Sequence, residues 1–219
     1  MKDLFKQKNS TLKVLLTVIY ICSFLISNIL ASKQFQLPFG ITMTGAIIIF
    51  PITYILSDLF SEVYGYKWSR FTCYLGFAMN LLMVCLFQIA IITPAPEYWQ
   101  NQEAFSIVLG STPRILFASL LAFIIGDFIN DKIFSKMKKK HNDMKGFTLR
   151  AFISSLCGEL ADSLIFIPLA FIGSMPAKTL VIMGITQVSL KVLYEVIILP
   201  LTKLLTHKTI KHEEKNEIN

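Results

Sequence analysis

Long apolar stretches constrain this chain more than any other feature of its sequence. A helix needs about 20 mostly apolar residues to cross the hydrocarbon core of a bilayer. Six stretches meet this requirement, at residues 12–31, 42–61, 69–93, 113–134, 148–173 and 179–205. They are too long for the strands of a membrane barrel. The sequence therefore predicts an all-α, multi-pass membrane protein: a six-helix bundle over 12–205, with polar tails at 1–11 and 206–219.

The composition agrees with a membrane bundle. Of the 219 residues, 54% are hydrophobic and 16% are charged, whereas charged residues make up about 25% of ordinary soluble domains. The net charge of +7 arises from basic residues in tails and short loops, not from a stripe interleaved with aromatics, so nucleic-acid binding is not predicted. The 4 cysteines lie in apolar spans without metal-ligand spacing, and neither a metal nor a cofactor is predicted.

The basic residues also predict an orientation. Of 21 Lys and Arg residues, 17 lie in or beside the two tails and alternate loops, and 3 lie in or beside the loops on the other side. Cytoplasmic segments carry the excess of Lys and Arg, so both termini are predicted to be cytoplasmic. Two sets of three helices would run in opposite directions across the membrane, as in inverted-repeat transporters. This 3+3 division is a hypothesis.

Charged residues within the last two spans are the clearest sign of function. A charge at the bilayer centre costs about 2.5–3.5 kcal/mol and survives where it faces a protein interior or a wet cavity. Glu159 and Asp162 lie about 60° apart on one helix face, while Gln187, Lys191 and Glu195 follow at four-residue steps. If the two helices are antiparallel neighbours, Lys191 can neutralise one carboxylate. The alternative is an ion-pair network that only fixes packing.

Other polar residues lie nearer the ends of the spans. Asp58 and Glu62 follow Pro51, which is predicted to kink or break the second helix. Asp127 lies at another cytoplasmic helix end, and anchoring at the interface is an equal alternative for all three acids. Asn28, near the outer end of the first span, can hydrogen-bond to a ligand or to a neighbouring helix.

A stripe of small residues runs along the first span. Ser23, Ser27 and Ala31 recur at four-residue steps, which suits close helix contact within the bundle or with a partner. A homo-oligomer is therefore left open.

Several of these segments together resemble a known family. They are Pro51–Lys67, which contains Ser57-Asp58 and Glu62-Val63-Tyr64-Gly65, and also Ser27-Asn28, Arg114, Gly158–Ser163 and Lys191. The chain resembles, from about residue 12 to 205, the queuosine precursor transporter family, also called the vitamin uptake transporters. Gln187 stands where some relatives carry an acid. The resemblance implies a carrier in the bacterial inner membrane for 7-deazaguanine bases: 7-cyano-7-deazaguanine, 7-aminomethyl-7-deazaguanine or queuine.

Such a ligand suggests roles for the polar residues. A guanine-like edge offers two parallel N–H donors, and a carboxylate accepts both in a fork. Glu159 is the first choice for this role and Asp162 the second, while Gln187 or Asn28 can read the remaining groups. Lys191 can face the base carbonyl or hold Asp162. The candidate substrate-binding residues are Glu159, Asp162, Lys191, Gln187, Asn28, Asp58, Glu62, Asp127 and Arg114, with Phe166, Phe152 or Tyr194 available to stack on the ring.

Two other functional classes are weaker. The membrane-embedded binding subunit of an ATP-driven vitamin or nucleobase importer has a suitable size, but it needs a partner ATPase because this chain has no G-x-x-x-x-G-K-[ST] loop. An intramembrane enzyme is not predicted, because the chain has no H-E-x-x-H motif and no histidine within the spans.

Overall fold

The computed structural model describes residues 10–38, 41–140 and 147–218, and most of them are helical. The helices are α1 (Thr11–Leu30), α2 (Phe50–Leu59), α3 (Tyr66–Ile92), α4 (Gln102–Gly110), α5 (Thr112–Lys140), α6 (Phe147–Phe171) and α7 (Ala177–Ile218). Two short strands, β1 (Gln34–Leu37) and β2 (Ile41–Thr44), pair with each other. A 3-10 turn (Gly45–Ile48) precedes α2, and a π-helical turn (Phe60–Tyr64) follows it.

Four helical stretches within the described residues are long and apolar enough to cross a membrane. They are Thr11–Leu30, Tyr66–Ile92, Gln102–Asn130 and Ile153–Phe171. Large apolar side chains such as Leu86, Leu164 and Val181 are exposed on these helices and on α7, as lipid contact requires. The prediction of a multi-pass helical membrane protein is therefore confirmed. The count of six spans, the side on which the termini lie and the 3+3 division stay predictions.

The second predicted span is not one continuous helix. Residues 42–61 pass through β2 and the 3-10 turn before α2 begins at Phe50. Pro51 lies in the first turn of α2, where its missing N–H leaves no hydrogen bond unmade. The second predicted span is therefore broken near Pro51, which is one of the two predicted outcomes, while the other outcome, a kink within one continuous helix, is wrong. The Gly45 N–H donates to the Lys33 carbonyl at 2.8 Å. A Cβ on Gly45 would lie 2.6 Å from the Leu30 carbonyl oxygen, so only glycine permits this approach.

Two stretches outside the predicted spans contain helix. The connection between the third and fourth predicted spans includes α4, and the predicted polar tail over 206–219 continues α7 as far as Ile218. The described residues do not include 1–9, which are most of the predicted N-terminal tail, or 141–146, which lie between the fourth and fifth predicted spans.

The chain forms two compact units, each with its own apolar core. The first comprises the described residues of Met1–Lys33, Thr44–Thr112 and Tyr194–Asn219. There α1, α2 and α3 pack together, and the π-helical turn and α3 meet at Gly65, whose φ of 83° suits a glycine. The buried apolar cluster of this unit consists of Tyr20, Leu56, Leu59, Phe60 and Trp68.

The second unit comprises the described residues of Gln34–Met43 and Pro113–Leu193. Its buried cluster joins α5, α6 and α7 and consists of Ala118, Ile167, Ala170, Phe171 and Met183. A tight turn connects α6 to α7: Gly173 has a φ of 83°, and the Ser174 N–H donates to the Phe171 carbonyl at 2.9 Å. This turn makes α6 and α7 antiparallel neighbours.

Candidate functional site

An ion pair joins α6 and α7 in the second unit. The Lys191 Nζ lies 2.7 Å from Asp162 Oδ2. Lys191 is 7% exposed and Asp162 is 29% exposed, so the ammonium is the more deeply buried partner. The predicted pairing of Asp162 with Lys191 is confirmed. It forms because the short turn at Gly173 lays α7 back along α6.

Two further candidate residues lie one helical turn from this pair. Glu159 precedes Asp162 on α6, is partly buried, and has an Oε2 atom that solvent does not reach. Gln187 precedes Lys191 on α7 and is 4% exposed. We call Glu159, Asp162, Gln187 and Lys191 the α6–α7 polar band. The band combines carboxylates, an amide and an ammonium within apolar helices. These groups are the hydrogen-bond donors and acceptors that a polar heterocycle requires of its site.

A close helix crossing supports the band from α5. A Cβ on Gly158 would lie 2.8 Å from the Gly126 carbonyl oxygen and 3.0 Å from Asn130 Cβ. A Cβ on Gly126 would lie 3.2 Å from Asp162 Cβ. The two backbones therefore touch directly beside Glu159 and Asp162, as small residues allow in membrane helices. This crossing was not predicted, although a glycine beside an acid in each span, Gly126-Asp127 and Gly158-Glu159, is a signal for it.

Ser163 is a further polar residue that was not among the predicted ligands. It is 1% exposed, and its hydroxyl has no hydrogen-bond partner among the described residues. Ser163 follows Asp162 on α6. Serine is small and common in membrane helices, so the sequence did not distinguish Ser163 from a serine that only packs against a neighbouring helix.

Asp127 and Arg114 lie in the second unit outside the polar band. Asp127 is half-buried on α5, beside the Gly126 crossing, and takes part in an interaction there. Arg114 donates from Nε to the Leu169 carbonyl at 2.7 Å and from Nη2 to the Ile172 carbonyl at 2.6 Å. It thus caps the C-terminal end of α6, about 15 Å along that helix from Glu159.

The other three candidates belong to the first unit. Asn28 is 8% exposed in the last turns of α1, and its amide nitrogen has no hydrogen-bond partner within the described part of the chain. Asp58, near the end of α2, and Glu62, in the π-helical turn, are exposed, and Asp58 makes an interaction. The structure therefore brings together Glu159, Asp162, Gln187 and Lys191, and assigns Asn28, Asp58 and Glu62 to a separate unit.

The proposed stacking aromatics differ in their surroundings. Phe166 packs against the core of the second unit, with its ring centroid 5.9 Å from that of Phe171 at 90°. This edge-to-face contact is ordinary core packing. Tyr194 is half-buried on α7. The side chains of Phe152 and Glu195 lie outside the described part of the structure.

A cavity of about 230 Å³ lies elsewhere, in the first unit beside α3 and α4. Its lining is largely apolar and contains none of the candidate ligands. It consists of Ala90, Thr93, Pro94, Ala95, Pro96, Trp99, Gln102 and Phe105.

Comparison with known proteins identifies the family. Residues 44–205 match the family model for the vitamin uptake transporters. A protein of Bacillus subtilis (strain 168) named "Probable queuosine precursor transporter" is 26% identical over 174 residues, which cover 80% of this chain and 76% of that relative. No solved structure matches. The family match includes α6 and α7 as far as residue 205, and hence the whole polar band. This chain belongs to the vitamin uptake transporter family.

Proposed function

We propose that this chain is a secondary carrier that imports queuosine precursors across the bacterial inner membrane. Its substrates would be 7-deazaguanine bases: 7-cyano-7-deazaguanine, 7-aminomethyl-7-deazaguanine or queuine. The family supplies the transport function, and the name of the Bacillus subtilis relative suggests this class of substrate. The binding site would be the α6–α7 polar band.

One observation carries the choice of site. In a chain whose helices expose apolar side chains to lipid, the band places two acids, a lysine and a glutamine on two adjacent helices. Packing alone can be achieved in a membrane with small residues, as the Gly126–Gly158 crossing illustrates in this unit. Ionisable groups at such a position mark a substrate pathway by default.

The band gives its two carboxylates different tasks. Lys191 is committed to Asp162 by the 2.7 Å ion pair, so Asp162 and Lys191 form a fixed frame. Glu159, one turn away, would accept the two parallel N–H donors of the guanine-like edge in charge-assisted bonds, which are about twice as strong as neutral ones. Gln187 would bind a remaining carbonyl or N–H group of the base.

Uptake of a radiolabelled 7-deazaguanine tests this function. Cells that express the chain without added partners would be challenged with unlabelled 7-deazaguanines, guanine, adenine and riboflavin. We expect the unlabelled 7-deazaguanines to reduce the uptake most. Strong competition by riboflavin together with weak competition by 7-deazaguanines would contradict the proposed substrate. Uptake that required a co-expressed ATPase would instead support the ATP-driven alternative, for which neither the family nor the relative gives support.

A further inference from the structure

Within the first unit, one carboxylate on the last turns of α7 contacts the start of α1 and the turn that precedes α3. Glu213 Oε1 accepts hydrogen bonds from the Ser10 hydroxyl and, at 2.8 Å, from the Tyr64 hydroxyl. Ser10 is also the N-cap of α1, since its Oγ accepts from the Lys13 N–H at 3.0 Å. Glu213 thus links the start of α1 to the turn that precedes α3, although 203 positions separate it from Ser10. We call residues 201–218 the C-terminal strap.

A buried lysine lies beneath this contact. Lys13 is 1% exposed, and its Nζ lies 3.8 Å from the centre of the Trp68 ring and 5.2 Å from that of Tyr64. Its ammonium has no hydrogen-bond partner among the described residues. Aromatic faces attract a cation but do not accept its N–H bonds as oxygen atoms do. The nearby anion that acts on this ammonium is Glu213, which belongs to the strap.

Hydration can offset the loss of these contacts. When the strap separates, water can reach both the Glu213 carboxylate and the Lys13 ammonium, so the lost contacts are replaced by hydration of two charges. Burial, reinforced by the hydrogen bond to Glu213, raises the pKa of the Tyr64 phenol. The phenol therefore stays protonated and remains a donor whenever the strap returns.

The strap follows a proline on the helix that also carries part of the proposed site. Pro200 lies inside α7, where proline removes a backbone hydrogen bond and weakens the helix. Lys191 lies nine residues before Pro200. The strap and Lys191 are therefore parts of one helix.

We propose that the C-terminal strap is a latch of the transport cycle, which releases Glu213 from Ser10 and Tyr64 and docks again in each cycle. This inference rests on the proposed transport function. It goes beyond that function because it assigns a moving part to a segment outside the substrate site. Neither Ser10 nor Glu213 is a candidate substrate ligand.

Cross-linking the strap tests the latch. The four cysteines, Cys22, Cys73, Cys85 and Cys157, are replaced by serine, and Ser10→Cys and Glu213→Cys are joined by a short bis-methanethiosulfonate. We expect the linked protein to lose at least ten-fold in uptake of a 7-deazaguanine and to recover with dithiothreitol. Treatment should not change the uptake of either single-cysteine variant, each compared with its own reduced form. Uptake by the linked protein within two-fold of the reduced protein would overturn the latch.

A second measurement needs no substrate and so separates the latch from the proposed function. Thr209 is 8% exposed on the strap, whereas its neighbour Lys208 is exposed. In a background without the four native cysteines, we expect Glu213→Ala, which removes the carboxylate contact, to speed maleimide labelling of Thr209→Cys at least ten-fold and to leave Lys208→Cys labelling unchanged. Equal labelling of Thr209→Cys with and without Glu213→Ala would overturn the latch even if uptake is observed. Faster labelling without any 7-deazaguanine uptake would support strap motion and count only against the substrate.

Discussion

The two units each bury a lysine, and they compensate its charge in different ways. In the second unit, Lys191 is 7% exposed and forms a 2.7 Å ion pair with Asp162. In the first unit, Lys13 is 1% exposed and lies over the rings of Trp68 and Tyr64, at 3.8 Å and 5.2 Å. Lys191 thus forms a direct hydrogen-bonded ion pair, whereas Lys13 is a cation above aromatic faces.

The two lysine contacts differ in strength and directionality, and they therefore constrain their helices to different degrees. A buried ion pair fixes the geometry of its two helices, because removal of one partner leaves an uncompensated charge that costs about 3–5 kcal/mol. A cation–π contact is worth about 0.5–2 kcal/mol and has no single required hydrogen-bond direction. The second unit therefore holds a fixed frame suited to a binding site. The first unit holds its lysine by a weaker and less directional contact.

The largest stability loss is expected for Lys191→Met. This change leaves Asp162 without its cation, and because Asp162 keeps 29% exposure we expect a loss near the lower limit, about 3 kcal/mol in the free energy of unfolding. Denaturation of the purified protein in detergent measures it. Lys178→Met, at an exposed position, is the matched control and should change stability by less than about 0.5 kcal/mol.

The double variant Asp162→Asn with Lys191→Met sharpens this test. If the loss comes from an uncompensated carboxylate, the double variant should be more stable than the sum of its single changes predicts. Equal losses for Lys191→Met and Lys178→Met would show that the lysine of the second unit is not a paired, buried group.

An intermediate loss is expected at the helix crossing that supports the ion pair. Gly158→Ala places a methyl group 2.8 Å from the Gly126 carbonyl oxygen, and we expect it to cost about 1–3 kcal/mol of unfolding free energy through overpacking. Gly184→Ala is the control, because a Cβ at that position would meet Ile167 Cδ1 at an ordinary 3.7 Å. It should be neutral or slightly stabilising, since alanine favours helix over glycine. Equal thermal shifts for the two variants would show that the Gly126–Gly158 crossing does not support the Asp162–Lys191 ion pair.

The smallest loss is expected for Lys13→Met. Methionine keeps a long apolar stem over the rings of Trp68 and Tyr64, and Glu213 keeps both hydroxyl donors. We expect a change of less than about 1 kcal/mol in the free energy of unfolding, as for the loss of one cation–π contact. A loss as large as that of Lys191→Met would abolish the contrast between the two units.

The polar band could be predicted from the sequence because its evidence is periodic. Three-residue and four-residue spacings place Glu159 with Asp162, and Gln187 with Lys191, on single helix faces. The short connection between the two spans then makes those faces meet, and the Asp162–Lys191 ion pair confirms that reasoning. The Gly126–Gly158 crossing was missed because it depends on the approach of two backbones, which no single-helix pattern encodes.

Two other regions were missed for a different reason: the backbone between residues 41 and 50, and the C-terminal strap. Hydropathy reports a preference for apolar surroundings, and a short apolar run fits a strand, a 3-10 turn or a helix equally well. Polar composition predicted a loose tail after residue 205, yet the helix continues to Ile218. Its Glu213 finds partners at Ser10 and Tyr64 that are far away in the sequence.

The role of Glu159 in substrate binding is tested most directly by the affinity of the purified Glu159→Gln variant for a 7-deazaguanine base. Calorimetry would compare it with the wild-type chain and with Glu103→Gln, an exposed position on α4. Hydrogen bonds to a charged group contribute about 1.5–3 kcal/mol, so we expect Glu159→Gln to weaken binding by about 10-fold to 100-fold while its thermal stability is kept. Glu103→Gln should bind like the wild type. Unchanged affinity in a folded Glu159→Gln variant would contradict the assignment of the α6–α7 polar band as the substrate site.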